Sequence, residues 1–152
     1  MKSNLWNVVI IVVFILTTSF VVLQPVKNLI PEDIKYVKIA GQEIKVDLAL
    51  DTQTQEQGLS GRTLLKEDEG MLFIFQISDT HPFWMKDMNF PIDIIWIRDT
   101  TIVDISKNVP VATTAELPTY APREPVNKVL EVRAGDADRY GFKIGDAIKI
   151  GM

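Results

Sequence analysis

Cysteine is absent from the 152 residues, and histidine occurs once, as His81. Without a thiol there is no disulfide framework, no thiolate nucleophile and no cysteine to carry an acyl anchor. A zinc site draws about four ligands from Cys, His and carboxylates, so one imidazole leaves no metal site to assign. No acid-rich loop alternates Asp and Asn around a turn glycine as a calcium loop does. No serine stands on a glycine-flanked elbow, and His81 precedes Pro82 in a turn, so no catalytic residue is assigned. Sixteen Lys and Arg are scattered singly against 20 Asp and Glu. That pattern lacks the basic stripe of a nucleic-acid binder or of a domain that docks on anionic lipid. No cofactor and no nucleic-acid partner are therefore expected, and no internal repeat is visible.

What is present begins with an apolar run. From Leu5 to Leu23 it is broken only by Asn7 and the cluster Thr17-Thr18-Ser19. At the helical rise such a run spans about 28 Å, close to the hydrocarbon core of a bilayer. A cleaved signal peptide would have a shorter run and an A-x-A type site; Thr17 to Gln24 contains no alanine. The expectation is an uncleaved anchor over residues 1–24, with the membrane as partner through residues 5–23. The cleaved and secreted form is the alternative. Residues 25–31, bracketed by Pro25 and Pro31, read as a linker, and 32–152 as one domain. Lys2 and the terminal amine before the run, with Lys27, Lys35 and Lys38 after it, leave the positive-inside count nearly balanced.

Beyond the linker the hydrophobic period is two. Val37 and Ile39 alternate with lysines, Gly41-Gln42 suggests a turn, and Ile44, Val46, Leu48 and Leu50 follow on one face. Asp51-Thr52 with Gln55 and Glu56 predicts a capped helix of one or two turns, stopped at Gly58 or Gly61. Strands are expected at Met71–Phe75, Phe83–Lys86, Ile92–Arg98, Thr101–Ser106, Lys128–Val132 and Ala147–Ile150, with a short helix from Gly135 to Tyr140. The stretch from Asn108 to Val126 holds Pro110, Pro118, Pro122 and Pro125, which largely excludes ladder pairing and marks a long functional or interacting loop. About eight short strands and two stubby helices make a mostly β fold, a sandwich or partly open barrel.

A set of short motifs in fixed order carries a resemblance. Gly58-Leu59 with Arg62, Gly70-Met71-Leu72-Phe73, Phe83-Trp84-Met85-Lys86 and Pro91 to Trp96 come first. Val129-Leu130-Glu131-Val132, Ala134-Gly135 and Gly145-Asp146 follow. Together they resemble the domain-of-unknown-function family 192, small exported or membrane-anchored prokaryotic proteins. The resemblance implies a jelly-roll-like β-sandwich, held outside the cytoplasm with the N-terminus inside, and it implies no reaction. Relatives commonly carry Asn where Asp87 stands, and many place cysteines in the proline-rich loop, where this chain has none.

Asp93 is the residue whose chemistry stands out. In Ile92 to Ile97 both faces are apolar, so the strand is covered on both sides and the carboxylate needs hydrogen bonds or a cation. Arg62 and Lys86 are the candidate cations, and Trp84 shares the spacing of Lys86. The expectation is a polar constellation of Arg62, Trp84, Lys86 and Asp93 at the mouth of the fold, suited to a polar ligand such as a sugar; a buried structural ion pair with Trp84 as core is the bland alternative. Function is expected to be a non-catalytic binding or accessory module at the cell membrane, for an envelope glycan or protein. Two alternatives stand beside it. One is a hydrolase pairing Asp93 with Asp87, Asp104 or Glu131. The other is a structural partner docking through loop 108–126, where Pro118, Tyr120 and Pro122 lie.

Overall fold

The computed structural model of the chain describes residues 31–113 and 117–152. The expected anchor at 1–24, and the expected linker 25–31 except Pro31 itself, lie outside the described residues. Among the described residues no helix is long and apolar enough to cross a membrane.

The chain opens with a single 3-10 turn, Pro31–Asp33, and a hairpin of β1 (Tyr36–Ile39) and β2 (Gln42–Ala49). Ile39 pairs with Gln42, so the turn residues are Ala40 and Gly41, one position earlier than the sequence suggests. Both take positive φ, 50° and 89°. That is the mirror-image turn whose twist matches the strands it joins. Helix α1 (Thr52–Gln57) has the capping box expected at Asp51, but its reciprocal partner is Thr54. Asp51 Oδ1 accepts the Thr54 N–H at 2.9 Å, and Thr54 Oγ1 accepts the Asp51 N–H. Gln55 is thereby released to donate to the carbonyl of Ile74 at 3.0 Å.

β3 (Glu69–Asp79) is far longer than its apolar run, and β4 (Phe83–Trp84) is shorter than expected. β5 (Ile92–Arg98) and β6 (Thr101–Val109) form a second hairpin, and β7 (Thr119–Tyr120) is a short strand inside the proline-rich stretch. It pairs with β4, Phe83 opposite Tyr120 and Trp84 opposite Thr119, so that stretch is tied to the body rather than unpaired throughout. β8 (Val126–Arg133), helix α2 (Asp136–Arg139) and β9 (Ile148–Gly151) complete the chain.

Seven strands form one sheet in the order β6-β5-β8-β3-β2-β1-β9. β2 and β3 run parallel, which is why a crossover through α1 and residues 58–68 separates them. The other pairs are antiparallel. The sheet curls until its edge strands touch at one end: Thr101 bridges Ala147, and the Ile148 N–H reaches the Thr100 carbonyl at 2.8 Å. The result is a mostly β, open half-barrel with two short helices. It is one curled sheet rather than a two-sheet jelly-roll sandwich, because its second face is covered by loops and the β4–β7 ribbon.

Over β5, β8 and the first half of β3 both faces of that sheet are dry, whereas β1, β2 and β9 alternate buried with exposed residues. Ile95, Ile97, Leu130, Val132 and Leu72 pack on the concave side with Val37, Ile44 and Phe142. Ile92, Ile94, Trp96, Val129 and Phe73 pack on the other with Leu59, Leu65, Met85 and Met88. Six of the seven β5 residues are buried, as the double-faced apolar pattern of that strand predicts. Trp96 is wholly buried, with its indole N–H donated to Ser106 Oγ at 3.0 Å, so the aromatic bulk enters the core without stranding a donor.

Candidate functional site

Strand alternation decides where the carboxylates go. Asp93 shares the face of Ile95 and Ile97, the concave side that also holds Ala137. It is fully buried. Its Oδ1 accepts the Asn108 N–H at 2.7 Å, and its Oδ2 accepts the N–H groups of Gly135 and Ala137 at 3.0 and 2.9 Å. The partners are backbone donors at the end of β6 and the start of α2, not a cation. Three charge-assisted hydrogen bonds satisfy a buried carboxylate well, and they fasten α2 and the β6 terminus to β5.

Arg62 lies elsewhere. Its guanidinium donates to Asp47 Oδ2 at 2.7 Å on the surface. Lys86 falls beyond the end of β4 and is exposed, while Trp84 is 45% exposed. The loop carrying Arg62 and the turn carrying Lys86 are nevertheless stitched together. Ser60 Oγ donates to the Lys86 carbonyl at 2.7 Å, Gly61 N–H to the Asp87 carbonyl at 2.8 Å and Asn89 Nδ2 to the Arg62 carbonyl at 2.9 Å. Asp87 holds φ at 55°, a left-handed conformation that Asn and Asp tolerate best among residues with a side chain. Thus Arg62, Trp84 and Lys86 belong to one neighbourhood and Asp93 does not join it; the β5 backbone sends Asp93 to the opposite face. In the proline-rich loop, Pro118 is exposed, Tyr120 half-buried and Pro122 buried. Pro118 and Tyr120 line a cavity of about 140 Å³ with Met85, Pro110 and Ala112.

On the face that Asp93 leaves, a concave pocket of about 170 Å³ opens between α1, the end of β3 and β4. Its walls include Phe73, Phe75, His81, Phe83 and Trp84, and its rim carries Thr52, Gln55, Glu56 and Ser60. The His81 ring stacks on Phe75 with centroids 3.7 Å apart, and Phe83 meets Phe73 edge-on at 4.9 Å. Also lining it is Glu131, 5% exposed, in the second half of β8. Its Oε2 is buried and has no hydrogen-bond partner among the described residues. Its register partners are Met71 and Ile94, so neither neighbouring strand sets a polar side chain opposite it. Burial pushes the Glu131 carboxyl up to about 8, against the opposing pull of the Arg62 charge.

Gly58 fits the pocket wall closely. It terminates α1 at φ 51° and ψ −132°, a conformation essentially reserved for glycine. A Cβ there would come within 3.4 Å of Phe73 Cζ and 3.9 Å of Glu131 Oε2. Sequence reasoning singled out Asp93 for standing in a strand that is apolar on both faces. Val129-Leu130-Glu131-Val132 carries the same signal, and Glu131, named only as one second acid among three, is the carboxylate that reaches a pocket.

Residues 35–150 match the model of the family DUF192, described as an uncharacterized ACR. None of the curated proteins matches the chain. A crystal structure of a protein of unknown function from Novosphingobium aromaticivorans DSM 12444 is similar, with a TM-score of 0.71 and 30% identity. That match covers 76% of this chain and 84% of the other. A protein named as a candidate transcription regulator from Sinorhizobium meliloti 1021 gives a TM-score of 0.68 at 34% identity, over 77% of this chain and 93% of that one.

Proposed function

The chain belongs to the DUF192 family, which brings no reaction with it, and from that premise we propose that the protein is a non-catalytic binding module held at the cell membrane. In this reading the apolar run from Leu5 to Leu23 is the anchor and the half-barrel faces the outside of the cell. The ligand is a small polar molecule such as one sugar unit of an envelope glycan. What carries the proposal is the pocket: aromatic walls, a half-exposed Trp84 at the opening and one unpartnered carboxyl oxygen inside. Binding sites are typically apolar concavities with a few placed polar groups, and about 170 Å³ suits a single ring or head group rather than a polymer. Gly58, Leu59, Phe73, Phe83, Trp84 and Glu131 line it, and all six come from the short motifs that mark the family resemblance.

A hydrolase built on Asp93 gains no support, because both oxygens of that carboxylate are occupied by backbone donors inside the core. A thermal-shift panel of neutral and amine-bearing monosaccharides, run on the full-length chain in phosphatidylglycerol nanodiscs, tests the binding reading. A ligand at a hundred times its Kd stabilises the folded state by about 2.7 kcal/mol. Trp84→Ala is expected to weaken binding about tenfold, the worth of one aromatic contact. A panel without a single shift, or a shift indifferent to Trp84→Ala, refutes the proposal.

A further inference from the structure

We propose that the pocket is built for a positively charged group, an alkylammonium or quaternary ammonium head that seats against Glu131 Oε2 and the surrounding aromatic rings. The inference rests on the binding role proposed above and specifies the chemical class of the ligand.

Three observations carry it. First, a buried carboxyl oxygen without a partner is costly in a folded protein, and Glu131 Oε2 is one, beside a cavity open to solvent. A ligand that supplies a charge or a donor at that oxygen removes the cost. Second, the walls are aromatic. Ring faces attract cations, and the attraction grows when water is excluded; a neutral hydroxyl gains much less from the same rings. Third, the lining holds two acids, Glu56 and Glu131, and among the described residues no lysine or arginine, so once Glu131 gives up its proton to an incoming cation the lining favours that cation over an anion.

The titratable groups around Glu131 can be named element by element; of these Arg62 lowers its pKa, while Arg133, two positions further along β8, is bonded to Asp136. Glu56 comes from α1, Arg62 from the loop after it and His81 from the β3–β4 turn. β3 and β5 place Met71 and Ile94 opposite it, which adds no charge. Arg62 does not serve as the missing partner, since its guanidinium is bonded to Asp47.

Burial holds the empty-site carboxyl in its neutral form up to about pH 8, so a cation must displace one proton to pair with it. The sign follows: below that value affinity rises about tenfold per pH unit, and above it affinity levels off. Binding therefore releases a proton, and the carboxyl is ionised in the complex at neutral pH.

The test uses full-length protein in phosphatidylglycerol nanodiscs, with glutamate carboxyl carbons isotopically labelled for NMR. The probes are choline, methylammonium, glucose and 3,3-dimethylbutanol, the last being the neutral isostere of choline. The expected result is that choline or methylammonium at millimolar concentration shifts the Glu131 carboxyl signal to its ionised position at pH 7. The neutral probes leave it protonated, and Glu131→Gln, which preserves shape, weakens cation binding at least tenfold. Preference between the two cations separates a quaternary head from a primary amine. Should glucose or the neutral isostere bind as well as the cations while the signal stays protonated, the cation inference is overturned and the pocket remains a binding site. Should no probe bind the wild-type protein, both the cation inference and the binding role fall.

Discussion

Replacing Glu131 with glutamine isolates the energetic cost of the pocket carboxyl, because the amide keeps the shape and removes the proton equilibrium. In the folded chain burial raises the Glu131 pKa from 4.5 to about 8. An acid raised on folding holds more protons in the folded state than in the unfolded state. Stability therefore falls as pH rises, and the penalty is absent below the unfolded value and complete above the folded one. Between those limits one proton separates the two states, so the slope is about 1.4 kcal/mol per pH unit. From about pH 5 to about pH 8, the wild type loses about 3 to 4 kcal/mol that the Gln variant keeps. Every other titrating group is common to both proteins and cancels in the difference. Urea unfolding of both proteins across that range, read by the fluorescence of buried Trp96, measures it directly. The Gln variant should be about as stable as the wild type near pH 5 and clearly more stable near pH 8. A difference that stays flat within about 1 kcal/mol refutes the claim that this carboxyl is desolvated in the native state.

Asp93→Asn should destabilise the protein by about 2 to 4 kcal/mol, since the amide loses charge and turns an NH2 group toward one of the three N–H donors; an unchanged melting temperature would show that the clasp carries no weight. Gly70→Ala should be at least as damaging, because its Cβ would fall 2.6 Å from the Glu131 carbonyl oxygen and 3.1 Å from Ile44 Cγ2. Backbone cannot yield cheaply there, so wild-type denaturation behaviour in that variant would contradict the packing. Gly58→Ala should cost about 1 to 3 kcal/mol in backbone strain and weaken whichever ligand the pocket takes. Preserved stability with preserved binding would mean the loop relaxes freely.

Some of this was legible along the chain. The first hairpin, the capped helix after Ala49, the doubly covered β5 and the closing elements all follow from period-two alternation and from turn residues, which act over a few positions. The boundaries that moved did so for local reasons too: Ala40 rather than Gln42 entered the turn, and Thr54 completed the cap. Strand β3 outran its apolar stretch because pairing with β8 as well as β2 supports backbone that hydrophobicity alone would not mark. β7 escaped notice for the converse reason. Two residues between prolines form a strand only because β4 lies alongside them.

The site divides the same way. That Asp93 needed satisfying was readable from its neighbours, whereas the identity of its partners depended on which strand end and which helix start meet β5. Arg62 and Lys86 were sound candidates on charge, yet one is held by Asp47 and the other is exposed beyond β4. Glu131 shows the limit most clearly. Its apolar surroundings in β8 are visible in the sequence, and they determine that the carboxyl is buried. Composition likewise determines that these 152 residues carry no thiol. Whether a buried carboxyl meets donors or an open cavity is settled by tertiary structure. Asp93 and Glu131 are both acids in apolar strands, and only the curl of the sheet puts α2 over one and the aromatic pocket over the other.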